Sequence, residues 1–163
     1  MTPPVESSLR RLGCTHERSM MAHQYCTFRL GGHLFGVPVE TVQEVLRQQD
    51  VTVVPLAPPA VSGLINLRGQ IVTTVELRQQ MGLPARDGSS PATNVVIRAG
   101  EGVTSLLVDE IGDVLEPDLD RFEAPPATVP AHVRRLVTQV CKLDHDLMLV
   151  LDTERAVVIE KAA

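Results

Sequence analysis

Aromatic residues are nearly missing from this 163-residue chain: they make up 2% of it, with one Tyr, three Phe and no Trp. Few rings are available on which unpaired bases could stack, so a single-strand binder is disfavoured. Cationic residues are not in surplus either. Fifteen Lys and Arg face twenty Asp and Glu, for a formal net charge of −5, whereas phosphate backbones call for clustered Lys and Arg. The chain therefore reads as having no nucleic-acid partner. No apolar run approaches the ~20 residues needed to cross a bilayer as a helix, and Met1 to Met20 holds no continuous apolar core of the signal-peptide kind. The expectation is a cytoplasmic protein with no direct membrane insertion. Cys14, Cys26 and Cys141 cannot form a closed disulfide set, and reduced cytosolic thiols fit them.

What the chain does have is aliphatic bulk. Apolar residues make up 44%, so Val, Leu and Ile must fill the interior. Val is stiff at χ1 and favours strands, which tilts the class toward β. The length fits one domain or two small subdomains sharing a core.

Residues 1–22, with Pro3, Pro4, Ser7, Ser8 and mixed charges, read as a flexible N-terminal tail, and 23–163 as the folded domain. Cys26, Phe28 and Leu30 alternate with Tyr25, Thr27 and Arg29 at strand period. Gly31-Gly32 supplies a hairpin turn, and Phe35, Val37 and Val39 alternate on the return. Val39, Val42 and Leu46, with Val45 beside them, are spaced for one face of a short helix entered at Pro38. A brief strand is expected at Val51 to Val54 before Pro55, Pro58 and Pro59 break regular structure. Asn66 and Gly69 are turn formers. A strand over Ile71 to Leu77 is followed by a helical turn stopped by Gly82 and Pro84. Polar residues 85–93 read as a linker. Asn94 to Ala99 and Val103 to Asp109 form a second hairpin around Gly100-Glu101-Gly102. Further strands are expected at Val133 to Val137, Val140 to Leu143 and Leu147 to Leu151, with a terminal helix capped by Asp152 or Thr153 and running to Glu160. Many short strands with regular turns point to small barrels or a sandwich.

Catalysis needs converging nucleophile and base, paired carboxylates or metal ligands. No Gly-x-Ser-x-Gly elbow, phosphate-cradling loop or His-Glu-x-x-His is present. His16 and His23 fall in the tail, and His33, His132 and His145 at turns or loops. Cys14, His16, His23 and Cys26 hold ligand types that zinc accepts, without the spacing of a known finger. Asp109, Glu110, Asp113, Glu116, Asp118 and Asp120 form an acidic run in which Gly112 is misplaced for a calcium loop. A solvated edge, or a docking patch for a basic partner, are its two readings. Cys26 and Cys141 read as small buried hydrophobes. No catalytic residue, metal or cofactor is expected.

Taken in order, several segments resemble the CheW coupling-protein family: Phe28-Arg29-Leu30-Gly31-Gly32, Phe35-Gly36-Val37-Pro38-Val39, Val42-Gln43-Glu44-Val45, and above all Val61-Ser62-Gly63-Leu64-Ile65-Asn66-Leu67-Arg68-Gly69. Glu76-Leu77-Arg78, Leu107-Val108-Asp109-Glu110-Ile111, Asp113-Val114-Leu115 and Leu147 to Asp152 continue the match, which covers about 24 to 160. The resemblance implies a mostly β fold of two small five-stranded, SH3-like β-barrels packed together, with a few short helices and interleaved subdomains. It implies a non-enzymatic adaptor that couples chemoreceptors to a CheA-type histidine kinase in a signalling array. The implied partners are the regulatory domain of that kinase and the cytoplasmic tip of methyl-accepting chemoreceptors, with recruitment to membrane receptor arrays.

By motif matching, Val42, Glu44, Gly63, Asn66, Arg68, Gly69, Val95 and Val114 would belong to the partner-binding surfaces. The residues themselves leave alternatives open. Val42 and Val45 could form a docking edge or pack inward; Glu44 could be a contact or a solvated charge; Gly63 and Gly69 could act only by shaping the loop. Arg68 is either a plain surface turn residue or an outward guanidinium offered to a carboxylate. The chain departs from the family pattern at Thr73-Thr74, where a proline is usual, at Thr104-Ser105, where an aromatic-Gly pair is usual, and at Thr138-Gln139, near a usual glycine. A second reading keeps the fold but makes the chain an inhibitor or decoy, or places it in a non-chemotaxis kinase pathway. A third, an unrecognised enzyme, rests only on the acidic run and the scattered histidines.

Overall fold

The computed structural model describes residues 24–47, 49–86, 91–100 and 102–159. The expected tail, with Cys14, His16 and His23, lies outside them. The strands are β1 (Tyr25–Leu30), β2 (His33–Pro38), β3 (Val42–Arg47), β4 (Val61–Leu67), β5 (Gln70–Glu76), β6 (Thr93–Ala99), β7 (Gly102–Val108), β8 (Glu110–Leu115), β9 (Phe122–Glu123), β10 (Val137–Lys142) and β11 (Leu147–Leu151). Three short helices accompany them: α1 (Leu77–Met81), α2 (Ala131–Arg134) and α3 (Thr153–Ala156).

The strands form two sheets, ordered β8-β1-β2-β11-β10-β9 and β3-β6-β7-β5-β4. These are the two packed, SH3-like barrels of a mostly β fold. The first carries a sixth strand because Phe122 and Glu123 pair with Cys141 and Val140. The chain crosses to the second barrel between Pro38 and Val42 and returns between Val108 and Glu110, so β3 to β7 are inserted inside the first barrel. Residues 82–92 connect α1 to β6 along the chain. Each sheet closes one long-range parallel pair, β2 with β11 and β5 with β7.

Alternation along the strands explains where the cores lie. Phe28, Leu30, Phe35 and Val37 from the first barrel meet Val95, Ile97, Leu106 and Val108 from the second in one shared cluster. Opposite faces of the same strands fill separate interiors, Tyr25, Leu34, Met148 and Val150 in one barrel and Ile65, Leu67, Val72 and Val96 in the other. Burying each such side chain stabilises the fold by roughly 1.5–3 kcal/mol. Strands buried on both faces need aliphatic residues at nearly every position, which is what the Val-rich composition supplies.

Several expectations are corrected. Val39 to Leu46 is not a helix: a 3₁₀ turn, Val39–Thr41, leads into β3, whose residues alternate half-buried and exposed. The 3₁₀ turn has no side-chain cap, and β3 gains a full antiparallel ladder against β6, with Val45 opposite Val95. Long-range pairing thus overrides a weak local pattern. Val51 to Val54 makes only a single bridge, Thr52 with Leu64. Val133 lies in α2, started at Pro130, whose carbonyl accepts from the amides of Val133 and Arg134. The final helix stops at Ala156, although Asp152 does cap it, accepting from the amides of Glu154 and Arg155.

Two of the three departures from the family pattern are neighbours in space. In the β5–β7 ladder Thr73 stands beside Thr104 and Thr74 beside Ser105. A proline would remove a ladder donor from β5, an inner strand; threonine keeps it. Thr138-Gln139 lies at the register shift of the β10–β11 ladder.

Candidate functional site: the Arg68 turn and the ends of the second sheet

The β4–β5 hairpin closes on a two-residue turn, with Leu67 paired to Gln70. Arg68 has φ of 53° and Gly69 of 87°, the doubly left-handed geometry that suits the twist of flanking strands. Gly69 takes this conformation without penalty, and arginine does not. Asn66 offsets part of that cost: its Oδ1 accepts the Gly69 amide at 2.9 Å. The turn thus holds Arg68 outward, with its side chain 71% exposed.

The carboxylate that Arg68 meets is its own chain's Glu44. Nη1 donates to Oε2 at 2.5 Å and Nη2 to Oε1 at 2.8 Å, the planar fork that only arginine offers. Glu44 lies on β3 and Arg68 immediately after β4, the two end strands of the five-stranded sheet. The ion pair therefore joins residues at the two end strands of the sheet. Hydrogen bonding from Arg68 lowers the Glu44 pKa and raises that of Arg68.

Val42 and Glu44 are half-buried on the same side of β3, while Gln43, Val45 and Arg47 are exposed on the other. Val42 packs against the shared core. Val45 is the outward valine, because three residues apart on a strand means opposite faces; of the two readings left open for Val42 and Val45, Val42 takes the inward one and Val45 the exposed one. Its exposure is the signal that period-two alternation would have given.

Gly63 is not in a turn. It is buried in β4 at a register shift, with φ of 152°. A Cβ there would collide with the Thr52 carbonyl and the Val51 side chain. The missing side chain lets residues 51–52 lie against β4, where the amides and carbonyls of Thr52 and Leu64 exchange hydrogen bonds of 2.8 and 2.9 Å. Val95 is fully buried in the shared core, so its side chain shapes β6 from within. Val114 is 56% exposed on β8, an end strand of the first sheet. Asn66, Arg68, Gly69 and Glu44 thus come together at one turn; Gly63 and Val95 lie beneath the surface, and Val114 is on the other barrel.

The acidic run divides. Glu110, Asp113, Glu116, Asp118 and Asp120 are exposed, whereas Asp109 is engaged by Arg78 and Arg86 and by the Gly31 amide. Burial raises the thiol pKa of Cys26 and of Cys141, and in the latter outweighs the opposing charge of Arg121. Both thiols therefore stay protonated, and thiols rather than thiolates are poor nucleophiles. Among the described residues no group of three or more His, Cys, Asp or Glu could hold a metal ion. No described helix is long and apolar enough to cross a membrane.

The model of the CheW-like domain family matches residues 24–160. The chain is 25% identical over 151 residues to the "Chemotaxis protein CheW" of Treponema pallidum (strain Nichols), covering 86% of this chain and 88% of that protein. It is 26% identical over 125 residues to that of Bacillus subtilis (strain 168), covering 77% and 80%. "Protein PilI" of Pseudomonas aeruginosa is 28% identical over 127 residues, covering 75% and 71%. The crystal structure of the scaffolding protein TtCheW from Thermoanaerobacter tengcongensis superposes with a TM-score of 0.78 at 24% identity, covering 87% of this chain and 97% of that one. The family match runs from β1 past the final helix, the fold is like that of TtCheW, and the chain belongs to the CheW-like domain family.

Proposed function

We propose that this protein is a non-enzymatic coupling adaptor that joins the regulatory domain of a CheA-type histidine kinase to the cytoplasmic tip of methyl-accepting chemoreceptors. It would stay in the cytoplasm and reach the membrane array by binding the receptors. Family membership supports the adaptor class, and the relatives are named chemotaxis proteins.

The observation that carries the proposal is the bidentate Arg68–Glu44 pair on a rigid, outward turn. An exposed ion pair adds little to stability, so a costly left-handed arginine held there is better explained by presentation to a partner than by the fold. Asn66 and Gly69 set that turn, Val45 is an exposed apolar side chain on β3, and Val114 offers a second on β8.

The test is reconstitution. Added to receptor-containing membranes and a CheA-type kinase, the protein should raise kinase autophosphorylation in a receptor-dependent way. A fall in activity would identify a decoy or inhibitor instead, and no change would reject both roles with that pair of partners.

A further inference from the structure

Asp109 lies where the chain returns from the second barrel to the first, between β7 and β8. Its carboxylate ties the two together. Arg78 of α1 donates from Nε to Oδ1 at 2.9 Å and from Nη2 to Oδ2 at 2.8 Å. Arg86, beyond α1, donates from Nη1 to Oδ1 and from Nη2 to Glu76 Oε2, the latter at 2.6 Å. The Gly31 amide, in the β1–β2 turn of the first barrel, donates to Oδ2 at 2.8 Å. The Asp109 amide donates back to the Arg29 carbonyl at 3.1 Å. Two arginines balance two carboxylates, and none of the four side chains exposes more than 24% of its surface.

Most of the remaining contact between the barrels is apolar, Phe28, Leu30, Phe35 and Val37 against Val95, Ile97, Leu106 and Val108; further directional bonds run to the segment after β11, where Gln80 Nε2 donates to the Ala156 and Val158 carbonyls at 2.7 and 3.1 Å and the Gly100 amide to Glu154 Oε2 at 2.9 Å. Apolar burial is non-directional; it holds the barrels together without choosing one angle between them. Forked arginine–carboxylate bonds are directional, so they can select one geometry where apolar contact selects less sharply. We propose that Asp109 is a positioning residue that fixes the angle between the two barrels. The angle in turn sets the geometry of any partner surface built from both, such as Val45 on β3 with Val114 on β8. That consequence rests on the adaptor reading; the positioning role does not.

Spin labels at Gln70→Cys and His145→Cys, both exposed and on different barrels, report the angle by pulsed electron-electron distance measurement. Cys14→Ser removes the remaining thiol, since Cys26 and Cys141 are buried. The otherwise unchanged protein should give one narrow distribution. Asp109→Asn keeps the side-chain shape but turns an amide toward the guanidinium groups, and should broaden or shift the distribution with an unchanged far-ultraviolet circular dichroism spectrum. An unchanged distribution, with or without a lower Tm, would overturn the proposal. Should Asp109→Asn fail to fold, Arg86→Gln, which removes one arm of the network, decides: broadening supports the role and an unaltered distribution rejects it. The measurement involves no partner, so it succeeds or fails independently of the coupling function.

Discussion

Glu44 and Arg68 meet through two parallel hydrogen bonds across the two end strands of one sheet, 24 residues apart in sequence. The pair is asymmetric: the Glu44 side chain is 18% exposed and that of Arg68 71%. Glu44 is anchored by β3, and Arg68 is free to exchange its internal carboxylate for a partner's without leaving its turn. A docking partner that supplies an acidic group would compete with Glu44, and one that supplies a basic group would compete with Arg68. On the adaptor reading proposed above, the pair is a docking site with a built-in occupant.

Gly63 and Gly69 separate a packing requirement from a turn requirement. At Gly63 a Cβ would lie 2.4 Å from the Thr52 carbonyl oxygen, so Gly63→Ala should cost on the order of 2 kcal/mol through forced backbone displacement. At Gly69 nothing stands within 4 Å and only the positive φ matters, so Gly69→Asn should cost about 1 kcal/mol or less. Urea unfolding of both variants checks the order; equal losses would contradict it.

Thr74 is fully buried, and its hydroxyl has no hydrogen-bond partner among the described residues. Beside it Ser105 is satisfied by the Asn94 amide at 2.8 Å. Replacing a buried unpaired hydroxyl by a methyl of similar shape should recover about 1 kcal/mol. Thr74→Val is therefore expected to raise Tm, whereas Asn94→Leu, which strands the Ser105 hydroxyl and the Gln49 amide, should lower it. Differential scanning calorimetry reads both.

Burial would raise the Asp109 carboxyl, but hydrogen bonds from Arg78 and Gly31 and the charges of Arg78 and Arg86 hold it below its ordinary 3.8. The unfolded chain then binds this proton more readily than the folded one, so the contribution is present above the ordinary value and is lost as pH falls through the lower, folded one. The stability gap between the natural protein and Asp109→Asn should be full above about pH 5 and shrink below about pH 4. Urea midpoints across that range measure it; a gap independent of pH would mean that the ionic bonds contribute nothing.

Local signals carried some elements and not others. Gly31-Gly32 and Gly100-Glu101-Gly102 mark their hairpins because a turn is decided by adjacent residues. Pro130 likewise signals the start of α2, a signal outweighed by the Val133 to Val137 strand pattern. The six residues of β3 are too few to separate a period of two from one of 3.6, and the deciding partner is β6, some fifty residues on. Arg68 is legible as a presented turn residue, but its pairing with Glu44 exists only once the sheet has closed. Asp109 reads as one charge in an acidic run, because its neighbours in sequence are acidic and its basic partners lie 31 and 23 residues away. Val42 and Val45 are both legible as a docking edge or core pair, and only the strand alternation decides that Val45 is the outward one. Composition and turn chemistry thus convey the class and the hairpins, while long-range pairing determines the ion pairs that define the site.

The account rests most heavily on Arg68, and charge reversal tests it most directly. Arg68→Glu places two carboxylates where an ion pair stood, at an exposed turn, so folding should survive and circular dichroism and Tm should stay close to those of the natural protein. Co-sedimentation with receptor-containing membranes and a CheA-type kinase should be abolished. Undiminished co-sedimentation of a correctly folded Arg68→Glu protein would contradict the assignment of the docking surface to this turn.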